Sequence, residues 1–67
     1  MQNLPTYSYK EFMQHILIAD KDTAFILLEL LCEEAHLYNR CQASLLYMNW
    51  MHVAQSKNII PYRNHLL

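Results

Sequence analysis

The first apolar pattern along the chain is Tyr9, Phe12, Met13 and Ile16, four positions at helical spacing, with Lys10, Glu11, Gln14 and His15 off that face. Immediately before it, the Ser8 side chain can accept from the backbone N–H of Glu11 while Glu11 reaches back to Ser8, and Tyr7 can pack on Phe12. A capping box with a hydrophobic staple marks a helix start, so a first helix is predicted over residues 9 to 19. Residues 1 to 7, which include Pro5, read as an extended lead-in.

The stretch DKDT at 20 to 23 supplies capping side chains and places two carboxylates where a helix N-terminus is partially positive. A second helix follows at once. Stepping about 100° per residue from Thr23, Leu27, Leu28, Leu31, Ala35 and Tyr38 fall on one broad apolar face, and Glu29, Glu33, His36 and Arg40 form a narrow strip opposite.

Past residue 41 the pattern reverses. On the same wheel Gln42, Asn49, His52 and Ser56 arrive where the apolar face was, while Ala43, Tyr47, Trp50 and Ala54 move to the former polar side. One straight helix from 23 to 56 on one neighbour cannot satisfy both halves. Two arrangements can: a break near NRCQ (39 to 42) giving three helices, or a continuous helix of about 50 Å whose halves meet different partners. Asn39, as a helix end or as a new cap with Gln42 three positions on, favours the break, although neither glycine nor proline stands there. Lys57 and Asn58 close the last helical segment, Pro61 prevents simple continuation, and residues 57 to 67 form an apolar, mildly basic tail that can strap the chain's own helices or dock on another protein. No internal repeat or low-complexity segment is present.

Composition sharpens this picture. In 67 residues, 54% are hydrophobic and none is glycine, more apolar area than one small domain can hide, since a chain of this size buries only about 60% of its unfolded surface. The surplus points to a partner. Without glycine, phosphate-cradling loops are excluded and tight hairpins disfavoured. The net charge of −1 and the scattered Lys10, Lys21, Arg40, Lys57 and Arg63 give a poor footprint for nucleic acid. The greasiest run, AFILLELL, is interrupted by Glu29 and far shorter than the roughly 20 residues of a membrane span. With no secretion signal read at the start, the expectation is a soluble cytoplasmic protein with reduced thiols.

Candidate chemistry is concentrated in CEEAHLYNRC, residues 32 to 41. On one helix Cys32 and Cys41 stand about 180° and 13 Å apart, which forbids a bridge within it. Cys32 and His36 share a side and can clasp a metal, and Glu33 with His36 has the spacing used in di-iron bundles, yet both need ligands from elsewhere or from a second subunit. The simpler reading makes the cysteines buried small hydrophobes or inert thiols, and makes Glu29, Glu33, His36 and Arg40 a solvated strip running from acidic to basic in the sense that suits the helix dipole. No metal and no cofactor is expected. Ser8 is occupied as a cap, and Ser44 and Ser56 lack the context of an elbow or oxyanion hole, so an enzyme is not expected.

The reading is therefore an all-α single domain over residues 1 to 67, a helical hairpin or three-helix unit assembled as a helical-bundle dimer. The expected role is a small protein–protein interaction module, adaptor or regulator, contacting a second copy and another protein through Leu27, Leu31, Tyr38, Tyr47, Met48, Trp50 and Met51. Burial in the chain's own core is the competing reading of LLYMNWM at 45 to 51, and Asn49 and His52 within it are expected to set pairing register. Two alternatives remain. A helical DNA-binding regulator would need a basic recognition helix, and its third segment offers only Lys57. An inter-subunit metal-binding bundle would use Cys32, Glu33 and His36.

Overall fold

Serine 8 starts the first helix as the capping pattern predicts. The computed structural model describes residues 4–59, in the order α1 (Tyr9–Ile18), α2 (Lys21–Glu34), a single 3-10 turn (Ala35–Leu37) and α3 (Arg40–Ser56). At the head of α1 the Glu11 backbone N–H donates to Ser8 Oγ at 3.2 Å, and the Ser8 backbone N–H donates to Glu11 Oε1 at 3.1 Å. Tyr7 meets Phe12 edge to face at 5.9 Å, which completes the staple. Asp20 caps α2 by accepting from the Thr23 backbone N–H at 2.9 Å, and that bond holds its carboxyl below the ordinary 3.8.

The change of apolar face after residue 38 is resolved by a break. α2 stops at Glu34, the chain tightens through Ala35–Leu37, and Asn39 starts α3 with a second capping box: the Gln42 backbone N–H donates to Asn39 Oδ1 at 2.7 Å, and the Asn39 backbone N–H donates to Gln42 Oε1 at 3.4 Å. A new helix can then point its own apolar stripe inward. Leu46, Trp50, Val53 and Ala54 are buried on α3, while His52 and Ser56 face solvent.

The three helices run up, down and up. Trp50 of α3 reaches Ala24 near the start of α2, where its Nε1–H donates to the Ala24 carbonyl at 2.8 Å inside the core, so α2 and α3 are antiparallel. Tyr38 at the entry to α3 meets Phe12 at 6.2 Å, and Lys57 at its exit meets the end of α1, which makes α1 and α3 roughly parallel. α1 packs most extensively on α3. Phe12, Ile16, Leu31 and Leu46 are the largest side chains fully withdrawn from water, each contributing about 1.5–3 kcal/mol by burial. No buried side-chain polar atom among the described residues lacks a partner.

A chain without glycine must end its helices by other means. α1 ends at Ala19 in extended backbone, and Lys57 Nζ donates to the Leu17 and Ala19 carbonyls, each at 3.0 Å, a cation placed where the helix dipole is negative. α3 ends in a Schellman arrangement: Asn58 takes φ 61°, its N–H donates to the Gln55 carbonyl at 3.1 Å, and the Ile59 N–H donates to the Ala54 carbonyl at 2.8 Å. Ile59 then folds back into the core.

The lead-in is held by two residues from the α2–α3 junction. Glu34 accepts from both the Thr6 backbone N–H and the Thr6 hydroxyl, each at 2.7 Å, and the Tyr38 hydroxyl donates to the Tyr7 carbonyl at 2.6 Å. Residues 4 to 7 thus bend onto the bundle rather than run out as an extended segment. Of the expected tail, residues 57 to 59 turn back on α3; the remainder, and residues 1 to 3, lie outside the described residues.

Two substitutions test this account by thermal unfolding. Trp50→Phe keeps most of the ring volume and removes the indole donor, and is expected to cost about 1–2 kcal/mol, whereas Trp50→Ala is expected to cost about 3–5 kcal/mol and leave little folded protein. Asn58→Val is expected to cost about 1–2 kcal/mol, lowering Tm by about 4–8 °C, because a β-branched residue resists positive φ; Asn58→Gly should be at least as stable as the parent.

Candidate functional site

The residues expected to meet a partner separate into two groups. Leu27, Leu31 and Trp50 lie in the chain's own core, Trp50 with only 4% of its surface exposed, and a partner could reach them only by opening the bundle. Tyr38 is half-buried and spends its hydroxyl on the lead-in. Tyr47, Met48 and Met51 remain at the surface. Met48 is 65% and Met51 46% exposed, and on the helix wheel both lie roughly opposite Leu46.

Together with His52 and Gln55, these three side chains line a shallow, solvent-open and mainly apolar hollow of 450 Å³. Positions 47, 48, 51, 52 and 55 follow helical spacing, so the hollow is a stripe along α3. Its inner border is the seam with α2. There Phe25, 41% exposed, meets Trp50 at 6.2 Å with the rings at 60°, and Cys32 sits against the Tyr47 hydroxyl. Glu29 lies four residues after Phe25 and three before Cys32, on the same side of α2 and exposed. Phe25, Gln55 and the bordering Glu29 were absent from the expected contact set. The signal for Phe25 was present, since it falls well away from the Leu27–Leu31 direction on the α2 wheel and an aromatic there must sit at a seam or in solvent.

Two tyrosines are shifted, Tyr38 beside the lead-in and Tyr47 on the hollow. Burial, followed by the nearby Glu34 and Glu11 carboxylates, pushes the Tyr38 hydroxyl above its ordinary 10.0. Tyr47 is also pushed above 10.0, chiefly by the neighbouring Cys32 side chain and then by burial.

The remaining candidates are dispersed. Cys32 and Cys41 are free and both exposed, so of the two expectations, buried small hydrophobes or inert thiols, the first does not hold; Cys32 faces the seam and Cys41 the solvent at the start of α3. His36 falls in the 3-10 turn rather than on α2, which takes Cys32 and His36 off a common helix. Among the described residues no three of His, Cys, Asp and Glu come together as metal ligands. Lys57, the single cation at the end of α3, is spent on the α1 carbonyls. Asn49 donates to the Leu45 carbonyl of its own helix at 2.9 Å, and His52 stands on the hollow's lining. Among the described residues no helix is long and apolar enough to cross a membrane.

Comparison with known proteins returns no family model, no curated protein and no solved structure that matches this chain.

The raised Tyr38 value makes a claim about pH. A hydroxyl whose folded value lies above its unfolded value favours the folded state fully below pH 10, and that contribution is lost as pH climbs from about 10 through the folded value. Stability measured by denaturant titration should therefore fall over that alkaline window. Tyr38→Phe should lower stability at neutral pH by about 1 kcal/mol, through loss of the bond to the Tyr7 carbonyl, and should make the alkaline decline shallower.

Proposed function

We propose that this chain is a small helical protein–protein interaction module, an adaptor or regulator, whose contact surface is the outer stripe of α3 together with its seam on α2, and that it also self-associates through that surface. The observation that carries the reading is the exposure of Met48 and Met51, set beside the half-buried Tyr47, around one apolar hollow. A bundle that buries Phe12, Ile16, Leu31 and Leu46 completely has a pattern capable of withdrawing apolar groups from water, and large apolar side chains left outside in one contiguous stripe mark contact surfaces. Methionine suits the role because its unbranched, polarizable side chain adapts to the shape it meets, and tyrosine beside it adds contact area with a polar tip.

The lining favours binding over catalysis. His52 is the only histidine in it and has no carboxylate, serine or cysteine among the lining residues, and the one other ionisable group there, the Tyr47 hydroxyl, is pushed above its ordinary 10.0, away from the range a general base works in.

Sedimentation velocity checks this reading. The wild-type chain is expected to sediment above its 8.0 kDa monomer mass in the tens of micromolar range, and Met48→Gln combined with Met51→Gln, which keeps side-chain length and helix preference, is expected to return it to monomer with an unchanged circular dichroism spectrum. A wild type that stays monomeric over that range removes self-association from the proposal. A double variant that associates like the wild type removes the stripe.

A further inference from the structure

Resting on the self-association just proposed, we infer that His52 makes it pH-sensitive: two copies pair through the outer face of α3 while its imidazole is neutral, and separate as it gains a proton. The outer face of a surface helix ordinarily carries charge, as α2 does at Lys21, Asp22, Glu29 and Glu33, all exposed. From Cys41 to Ser56, α3 holds no lysine, arginine, aspartate or glutamate, and its exposed positions include Leu45, Met48 and Met51. Arg40 and Lys57 stand at the two ends of that stretch, and Lys57 is bonded to the α1 carbonyls. A face without formal charge can be laid on its own copy by a two-fold axis with no like charges meeting. Cys41, Leu45, Met48, His52 and Gln55, all exposed, follow one another at steps of four, three, four and three, the spacing of a helix-pairing seam.

Histidine is the side chain that changes charge between about pH 5 and 8, and His52 is the only one on α3. In the free chain it is exposed, so water can solvate an imidazolium there. In the pair it lies on the seam. An antiparallel pair centred on Met48 sets His52 against Leu45 of the second copy, and a parallel pair sets it against His52 of the second copy; neither supplies a carboxylate. All residues lining the hollow belong to α3, so no titratable or charged group of α1 or α2 faces His52 across it; the exposed Glu29 and Glu33 stand on α2, beyond the seam marked by Phe25 and Cys32. Tyr47 is the other titratable group of the lining, and with its hydroxyl pushed above 10.0 it stays uncharged. Elsewhere on the face the remaining titratable side chain is Cys41, near the start of α3. Covering an imidazolium without a counter-charge is costly, and the two-fold axis repeats that cost on both chains. The paired state therefore holds fewer protons at His52 than the free chain, and by linkage association weakens as pH falls.

Sedimentation velocity of the full-length chain at about pH 7.5 and about pH 5.5 tests this. The wild type is expected to associate at the higher value and to need at least about tenfold more protein to do so at the lower, with an unchanged circular dichroism spectrum. His52→Leu places an apolar side chain on the seam and is expected to stay associated at both values. His36→Gln, which alters the 3-10 turn, should be released by acid as the wild type is. Equal association of the wild type at both values overturns the inference and leaves the contact surface in place; a monomer at both removes the surface, and the inference with it. A His52→Leu chain that acid still releases, or that no longer associates, also overturns it. So does loss of pH sensitivity in His36→Gln, or a fall in helix content over the same range, which would assign the release to another histidine or to unfolding.

Discussion

Everything in this fold follows from turning a glycine-free chain three times. A right-handed helix leaves four carbonyls unbonded at its end, and the usual remedy is a residue with positive φ that only glycine adopts without strain. Here each helix end finds a different substitute. α1 borrows the Lys57 ammonium, α2 tightens into a 3-10 turn, and α3 forces Asn58 into the left-handed region. Two of these three solutions recruit residues that also bind the elements together, since Lys57 joins the end of α3 to the end of α1 and Ile59, released by the turn at Asn58, completes the core. Helix termination and tertiary packing are in this way one set of interactions.

The division between core and surface follows from the same geometry. Breaking the chain at Asn39 lets α2 and α3 each aim an apolar stripe inward, and Trp50 is drawn deep enough for its indole to reach the Ala24 carbonyl. What cannot follow it inward is the outer quarter of α3. Met48 and Met51 lie roughly opposite Leu46 on the helix wheel, so no rotation of α3 hides them without exposing the core. The apolar stripe outside is therefore a consequence of the sequence pattern itself, and the module reading grows from that residue of unhidden surface.

The local part of this structure was legible in the sequence, and the long-range part was not. Ser8 with Glu11 and Asn39 with Gln42 are reciprocal caps written within four residues; the first could be read directly as a helix start, the second as a helix end or a new start. The reversal of the apolar face was visible on a wheel, and the Asn39 cap favoured a break there without deciding it against one continuous helix. The Glu34 hold on Thr6, the Tyr38 bond to Tyr7 and the Lys57 bonds to Leu17 and Ala19 join residues 28 to 40 positions apart, and no periodicity encodes such pairings. For the same reason the contact candidates were only partly separable. Trp50 and Met51 look alike as interface anchors in sequence, and only the depth at which α3 meets α2 puts one inside and leaves the other out. Glutamates 33 and 34 are neighbours in sequence, yet one faces solvent and the other holds the lead-in.

The fastening of α1 at both ends has a dynamic consequence. Its ten residues are too few to persist as a helix alone in water, and its start is tied through Tyr7 to Tyr38 while its finish is tied to Lys57. Fraying from either tip would have to break a bond to a distant part of the chain. Amide protons in the middle of α1 are thus shielded from solvent deuterium until the whole bundle opens, so that the shortest helix exchanges on the timescale of global unfolding rather than of local breathing.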